Sequence, residues 1–490
     1  MRILFASSEV APFAKTGGLA DVSGALPAAL ARLGHDVKVV MPKYAAVDGR
    51  RWGLTAGTEI PVHLAGRDHR FILWSGRLPD GPPGNPVSCY FLAHDHFFGR
   101  AGLYQEKGRD YPDNLERFCA FNRAALAVPR VLGWAPEILH ANDWQAALMP
   151  LFSRMEAERT PGTAAPATLF TIHNLGYMGL SPAEQFQVLD LPPSYFTPET
   201  LEFYGRVNPL KAGLLFSTLL NTVSPTYSRE IQTPELGCGL EGILQQRHRD
   251  LFGVINGVDY AQWSPARDPH LPARYDAEDL EGKRACKRAL QKSCGLPAKA
   301  VPLFGMITRL TSQKGVDLVL DALEELMLLD LQLVILGSGE PQLEQALQGA
   351  AQRFPTKLSV RLAFDESFAH RIEAGADCYL MPSRYEPCGL NQLYSLRYGT
   401  IPIARRTGGL ADTIIDATPS HLVAGTATGV LFESASSHEL LTAVRLTISL
   451  YRQHAVWAQM MTAAMAADFS WERSAREYAA LYERAIKAVA

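Results

Sequence analysis

Four short stretches of this 490-residue chain place charged groups and glycines where chemistry on a phosphorylated ligand would need them. The first is Lys15-Thr16-Gly17-Gly18-Leu19-Ala20-Asp21-Val22. Its glycines let the backbone approach a ligand closely. A helix starting there would offer N–H donors and a positive dipole to phosphate, and Lys15 adds a full charge. A structural turn with a solvated lysine accounts for the same residues, and spacing alone does not decide between the two. In the second stretch, Arg309 and Lys314 lie on one loop, with Gly315 ahead of a helical pattern. Two cations beside a helix start suit a leaving diphosphate better than they suit two unrelated surface charges. The third, Arg384-Tyr385-Glu386-Pro387-Cys388-Gly389-Leu390, carries a carboxylate that can bind sugar hydroxyls or stabilise positive charge at an anomeric carbon. Glu386 can equally favour the start of a helix predicted over about 390–398. Cys388 reads better as a packed thiol than as a reactive one. The fourth, Arg405-Arg406-Thr407-Gly408-Gly409, is another glycine loop suited to phosphate or sugar, with a plain turn as its competitor. In the first half, His140, Asp143 and His173 each follow a strand-like run. A lone histidine is more often packing than catalysis; three polar groups at strand ends add to the case.

These residues need elements to hold them. Short β-rich runs alternate with helical patterns, which predicts parallel α/β architecture. A strand at Ile3–Ala6 leads into the first glycine loop. A helix follows from about Asp21 to Leu33, kinked at Pro27 and stopped at Gly34, and then a strand at Val37–Met41. The stretch Asp48–Pro86, rich in Gly and Pro, reads as strands and excursions. Further strands are predicted at Glu137–His140, Ala167–His173 and Asn221–Ser224. A fresh pattern begins near residue 253. Pro-rich, charged sequence over 265–299 precedes strands at Pro302–Ile307, Gln332–Leu336, Ser359–Ala363, Asp377–Met381 and Ile401–Ala404. The last stretch, Trp471–Val489, is an amphipathic helix with no strand after it. In open α/β sheets ligands lie beyond the carboxyl ends of strands, and the charged stretches follow strands.

Composition narrows the function. An apolar fraction of 47% and a charged fraction of 20% describe a globular chain. Its length calls for two or three domains. A net charge of -3 gives no general reason to bind nucleic acid or an anionic membrane. The seven cysteines form no C-x-x-C pair, which argues for a reducing compartment and against a disulfide framework or structural zinc. The amino terminus carries no signal-peptide pattern and no apolar run is long enough to span a bilayer, so a cytoplasmic protein is expected. There is no D-x-D, no H-E-x-x-H and no P-loop motif. Gly337-Ser338-Gly339-Glu340 is half of a dinucleotide fingerprint and carries little weight for an NAD enzyme.

The charged stretches occur in one order with His140-Ala141-Asn142-Asp143-Trp144, Thr171-Ile172-His173-Asn174-Leu175, Thr222-Val223-Ser224-Pro225-Thr226-Tyr227, Asn256-Gly257-Val258-Asp259, Arg309-Leu310-Thr311-Ser312-Gln313-Lys314-Gly315, Pro382-Ser383-Arg384-Tyr385-Glu386-Pro387-Cys388-Gly389-Leu390 and Arg406-Thr407-Gly408-Gly409-Leu410-Ala411-Asp412. The ordered set, over nearly the whole chain, closely resembles the bacterial glycogen synthase and plant starch synthase family. The resemblance implies a GT-B fold: two doubly wound Rossmann-like α/β domains facing a cleft. The first would span 1–252 and the second, binding the sugar nucleotide, 253–469. A C-terminal helix over 470–490 would pack back on the first. It implies a retaining hexosyltransferase that moves glucose from ADP-glucose to the non-reducing end of an α-1,4-glucan such as glycogen and releases ADP. No cofactor and no metal are implied. Glu386 matches the family's catalytic glutamate, and His173 and Asp143 match residues that position the transferred glucose and the acceptor. Lys15, Gly17, Gly18, Asp21, Arg309, Lys314, Thr407, Gly408 and Gly409 match residues around the donor's phosphates and glucose. Tyr104, Asn256, Cys388, Gly389, Leu390 and Tyr394 match other substrate-lining positions, and Phe364 sits where the family places an aromatic against adenine.

Some positions depart from the pattern. Gln145 stands where histidine is common, Asn391 where threonine is common, and Pro209 where an aromatic precedes the stretch with Lys211. The wider superfamily has a second glutamate eight residues after the first, where this chain has Tyr394, as in the ADP-glucose branch. Three competitors remain. A glucan phosphorylase would need pyridoxal phosphate, and no matching lysine segment is recognised. A non-catalytic sugar-nucleotide sensor would be favoured by loss of Glu386, Arg309 or Lys314, all present. A transferase using UDP-glucose is opposed only by the motif match.

Overall fold

The computed structural model describes residues 1–160 and 165–489. The chain separates after Gly257 and again before Trp471 into two compact units, the C-terminal segment joining the first. Ala490, the end of the helix expected over 470–490, lies outside the described residues.

The first unit is built on a nine-stranded sheet. Its strands are β1 (Arg2–Ala6), β2 (Asp36–Pro42), β3 (Thr55–Leu64), β4 (Arg67–Arg77), β5 (Ser88–Ala93), β6 (Ile138–Asn142), β7 (Ala167–Ile172), β8 (Leu219–Thr222) and β9 (Leu251–Gly253). Their spatial order is β9-β8-β7-β6-β1-β2-β5-β4-β3. The run from β9 to β5 is parallel, and β4 and β3 add an antiparallel ribbon at one edge. Central strands such as β6 and β7 are buried along their whole length, as a parallel sheet covered on both faces requires. The Gly- and Pro-rich stretch read as strands and excursions holds the β3–β4 ribbon, and β5 completes the parallel part.

The first helix runs Gly18–Arg32 through Pro27, starting three residues earlier than the apolar pattern suggests. Gly17 is its cap and Asp21 lies in its first turn, where a negative charge suits the dipole. The C-terminal helix, Trp471–Val489, buries Trp471, Ala475, Tyr478, Leu481, Tyr482 and Ala485. It is tied down by polar groups: Asn221 Nδ2 donates to Tyr478 Oη at 3.0 Å, and Ser474 Oγ donates to the Ile255 carbonyl at 2.7 Å.

The second unit is built on a six-stranded sheet, all parallel. Its strands are β10 (Leu303–Ile307), β11 (Gln332–Gly337), β12 (Leu358–Leu362), β13 (Cys378–Met381), β14 (Ile401–Arg405) and β15 (Val430–Phe432). The order β12-β11-β10-β13-β14-β15 is that of a doubly wound dinucleotide-type sheet, whose strand order reverses between β10 and β13. The charged, Pro-rich stretch before β10 contains a helix at Glu281–Ser293 that composition hides; it turns Lys283, Cys286 and Leu290 inward. Among the described residues no helix is long and apolar enough to cross a membrane.

Candidate functional site

Each sheet reverses its strand order at one place, and the charged stretches of its unit lie there. In the first unit the reversal falls between β1 and β6. Beyond β1 the chain runs through Ser7, Ser8 and Glu9 into the Lys15–Gly18 loop. Beyond β6 it meets Asp143, whose φ is +55°. A non-glycine residue held in the left-handed region costs roughly 1–3 kcal/mol, and such residues gather at functional sites. The turn aims Asp143 Oδ1 at the end of β7, where it accepts the His173 N–H at 2.7 Å. Burial pushes the Asp143 carboxyl from 3.8 up to about 7, although backbone N–H groups of His173 and Asn174 oppose it. Burial pulls the His173 imidazole down to about 3, so it is neutral throughout the physiological range. Asn142 Nδ2 is committed to the Ala6 carbonyl at 3.1 Å. Its Oδ1 therefore faces His173 Nε2 at 3.0 Å, which assigns the imidazole proton to Nε2 and leaves Nδ1 an acceptor.

His140 does not join them. Its Nδ1 meets Tyr482 Oη and its Nε2 meets Thr171 Oγ1, each at 2.8 Å, and it is fully buried. It is a packing residue that fastens the C-terminal helix, which removes it from the candidates. Lys211 is likewise structural: its ammonium donates to the Pro198 and Glu202 carbonyls at 2.7 and 2.6 Å.

In the glycine loop, Lys15 Nζ contacts Asp21 Oδ1 at 2.6 Å, both partly exposed. Gly17 has open space around its α-carbon. Sequence reasoning misses Glu9, which is 3% exposed and receives the N–H groups of Thr16 and Gly17 at 2.5 and 3.2 Å. Tyr104 reaches the same carboxylate at 2.7 Å and Ser8 Oγ at 2.8 Å. Asn256 is buried with its side-chain oxygen unpaired, on the loop after β9.

In the second unit the reversal opens a cavity of ≈ 130 Å³ lined by Thr308, Lys314, Ser383, Glu386, Gly389, Leu390 and Asn391 with apolar residues of β10 and β13. Four of the sequence candidates thus meet there. Glu386 is 5% exposed. Its Oε2 accepts from Lys314 Nζ at 2.6 Å and from Ser383 Oγ at 2.9 Å. Sequence does not single out Ser383, though it lies just beyond β13. Gly315 (φ +69°) cannot carry a side chain, because a Cβ there would collide with the Pro382 carbonyl. That contact presses the Lys314 turn onto the Glu386 loop.

The glycines of the fourth stretch do the same from the other side. A Cβ on Gly408 or Gly409 would strike the carbonyls of Glu386 or Cys388. Thr407 caps the short helix Gly408–Thr413 and is buried, as is Cys388, a packed thiol. Arg405 and Arg406 are committed to the protein: Arg405 to the carbonyls of Ser383, Arg384 and Glu433, Arg406 to Glu433 and Asp416 at 2.6 and 2.8 Å. They brace the loop that carries Thr407, Gly408 and Gly409.

Asn391 spends its amide on the Ile307 carbonyl at 2.7 Å and Tyr379 Oη at 2.6 Å, pinning the end of β10. Tyr394 lies outside the cavity lining. Its ring stacks on Trp263 at 3.8 Å, with His370 on the opposite side of the column. Arg309 is exposed on the loop after β10, and Phe364, after β12, is 85% exposed. Among the described residues no group of three or more His, Cys, Asp or Glu is placed to hold a metal ion.

Comparison with known proteins bears on this arrangement. Residues 2–246 match the family model described as starch synthase catalytic domain, and residues 292–460 match glycosyl transferases group 1. A glycogen synthase of Anaeromyxobacter dehalogenans (strain 2CP-C) is 50% identical over 484 residues, covering 98% of this chain and 99% of that one. Glycogen synthase 1 of Methylococcus capsulatus is 48% identical over 492 residues, covering 99% and 97%. Among solved structures, the catalytic domain of starch synthase IV from Arabidopsis thaliana, bound to ADP and acarbose, superimposes with a TM-score of 0.90 at 35% identity, covering 99% of each chain. Sucrose-phosphate synthase from Thermosynechococcus elongatus, at 18% identity and a TM-score of 0.61, shares the fold.

Proposed function

The chain belongs to the glycogen synthase and starch synthase family of glycosyltransferases, with its two Rossmann-like domains of GT-B type, and we propose that it moves glucose from ADP-glucose to the non-reducing end of an α-1,4-glucan, releasing ADP with retention of configuration. The observation that carries this reading is the Lys314–Glu386 pair above a cavity at the strand-order reversal of the second sheet. Glycosyl transfer passes through an oxocarbenium-like state while negative charge grows on the departing phosphate. Lys314 has three N–H donors, so it can serve Glu386 and a phosphate oxygen together. Arg309 adds a second cation on the same loop. Such preorganised charge can supply the stabilisation otherwise asked of a metal. Glu386 faces the sugar side of the same reaction. Leu390 and Gly389 line the donor pocket, while Thr407, Gly408, Gly409 and Cys388 shape its back wall. Phe364 serves as a face for adenine, and Tyr394 supports the nucleotide side through the Trp263 column.

In the first unit, neutral His173 offers a fixed hydrogen-bonding group and Asp143 a carboxyl group, the pair that positions the transferred glucose and the acceptor. Lys15 and the helix start at Gly18 bind phosphate, Gly17 leaving room for its approach and Asp21 orienting Lys15; Tyr104 and Asn256 complete the sugar-facing wall. Retention proceeds by same-face displacement assisted by the departing phosphate. A trapped glucosyl-enzyme adduct would count against that route.

The test is nucleotide release with glycogen as acceptor in the presence of a chelator, comparing ADP-glucose with UDP-glucose. ADP release with polymer growth is expected, with Glu386→Ala folded and slower by at least about 100-fold, since electrostatic groups of this kind contribute about that much. Release from UDP-glucose alone would move the chain to another branch of the fold. No release from either would favour the sugar-nucleotide sensor.

A further inference from the structure

The buried carboxylate of Glu9 belongs to no function assigned above. It lies on the segment after β1 and is 3% exposed. Oε2 accepts the backbone N–H groups of Thr16 and Gly17, at 2.5 and 3.2 Å. Oε1 accepts the Thr16 hydroxyl at 2.5 Å and the Tyr104 hydroxyl at 2.7 Å. A carboxylate has about four acceptor positions, so these four bonds use all of them. Glu9 therefore has nothing left to offer as nucleophile, general base or sugar ligand. Its bonds instead join three pieces of chain: the strand end, the glycine loop and the distant Tyr104 segment.

The consequence for the glycine loop is specific. The first N–H groups of a helix have no intrahelical acceptor and are what an anion binds. Here Gly17, the cap, and Thr16, one residue ahead of it, already spend their N–H groups on the Glu9 carboxylate. What the loop can present to a phosphate is confined to Lys15 and the N–H groups of Gly18 and Leu19 at the head of the Gly18–Arg32 helix. A buried anion beside a phosphate site costs affinity unless it does something for the site. Its bonds indicate what that is: they fix where the loop turns.

We propose that Glu9 is a positioning residue for donor binding, whose carboxylate sets the Thr16–Gly17 turn so that Lys15 and the helix start meet the donor phosphate while Tyr104 is held on the same anchor. The inference rests on the proposed ADP-glucose transferase reading.

Glu9→Gln tests it. The amide keeps the size and the acceptor facing the two backbone N–H groups, but it removes the charge, and its NH₂ meets the two hydroxyls only if each reverses to accept, so the anchor is weakened without leaving a cavity. The expected result is a folded protein whose kcat/KM for ADP-glucose falls at least tenfold while KM for glycogen stays within twofold. Thr16→Val, which removes one of the four bonds at nearly constant volume, should fall between Glu9→Gln and the parent, and it keeps the question answerable if Glu9→Gln does not fold. Three results would overturn the proposal. One is donor kcat/KM within threefold of the parent in both variants. Another is a lower KM for ADP-glucose in Glu9→Gln, as expected if the carboxylate merely repels phosphate. The third is an equal rise in both KM values, as expected of general loosening. An unmodified chain that releases nucleotide from no glucose donor would count against the transferase reading itself, and is told apart by that control.

Discussion

Replacing Asp143 by asparagine should change how stability depends on pH, by an amount that the surroundings of Asp143 and His173 set. The Asp143 carboxyl is held at about 7 instead of 3.8, chiefly by burial. The native chain then binds more protons than the unfolded chain between those values, so this group's contribution falls as pH rises from 3.8 to about 7 and stays lost above it. A shift of about 3 units corresponds to at most about 4 kcal/mol. His173, held at about 3 instead of 6.5, works the other way: its burial costs stability at low pH and ceases to do so as pH rises through 6.5. From about pH 4 to about pH 6.5 the two slopes oppose each other at roughly 1.4 kcal/mol per unit each, so the parent's stability changes little on their account. The amide variant would keep the left-handed backbone, which asparagine tolerates well, and can still accept the His173 N–H. It cannot ionise. Asp143→Asn should therefore gain about 2–4 kcal/mol relative to the parent on going from about pH 4.5 to about pH 8, whatever constant offset the amide brings. Urea unfolding of both proteins at several pH values measures this directly. A difference that is flat with pH would show that Asp143 is not held protonated by its surroundings, and the reasoning would fail.

Lys314→Met leaves the Glu386 carboxylate, 5% exposed, with the Ser383 hydroxyl on the oxygen it shared with Lys314; it should lose about 3–5 kcal/mol, and Lys314→Met with Glu386→Gln together should regain most of that without regaining turnover, read by a double-mutant cycle in urea. His140→Leu strands the buried hydroxyl of Tyr482 and leaves Thr171 only its long bond from Asn221, and it should cost about 1–3 kcal/mol while leaving kcat within about threefold, the reverse of what His173→Ala does to turnover.

The positions legible from sequence are those whose signal is local. A strand followed by two glycines and an amphipathic run locates the Lys15 loop. Lys314 and Glu386 stand out because each sits just beyond a β-run, and they meet at 2.6 Å across 72 positions. What a charged side chain does with its charge is not legible by the same means. Arg405 and Arg406 look like phosphate ligands by type and place, yet Glu433 and Asp416, farther along the chain, consume Arg406, and three carbonyls hold Arg405. Glu9 shows the converse: read alone between Ser8 and Val10 it is an ordinary acid near a strand end, and only Tyr104, 95 positions away, and the backbone of its own loop reveal a saturated anchor. The helix at Glu281–Ser293 is lost among prolines and charges because its apolar face is narrow, and the +55° backbone of Asp143 is not told by residue type from that of the many aspartates in ordinary conformations. Sequence locates strand ends, and strand ends locate the chemistry; which of the groups there remain available for a ligand is decided by contacts that close only when the sheet is assembled. That is why His140, in the middle of β6, and His173, just beyond β7, part company: one has both nitrogens used by the fold, the other has one nitrogen held by Asn142 and the second left to accept.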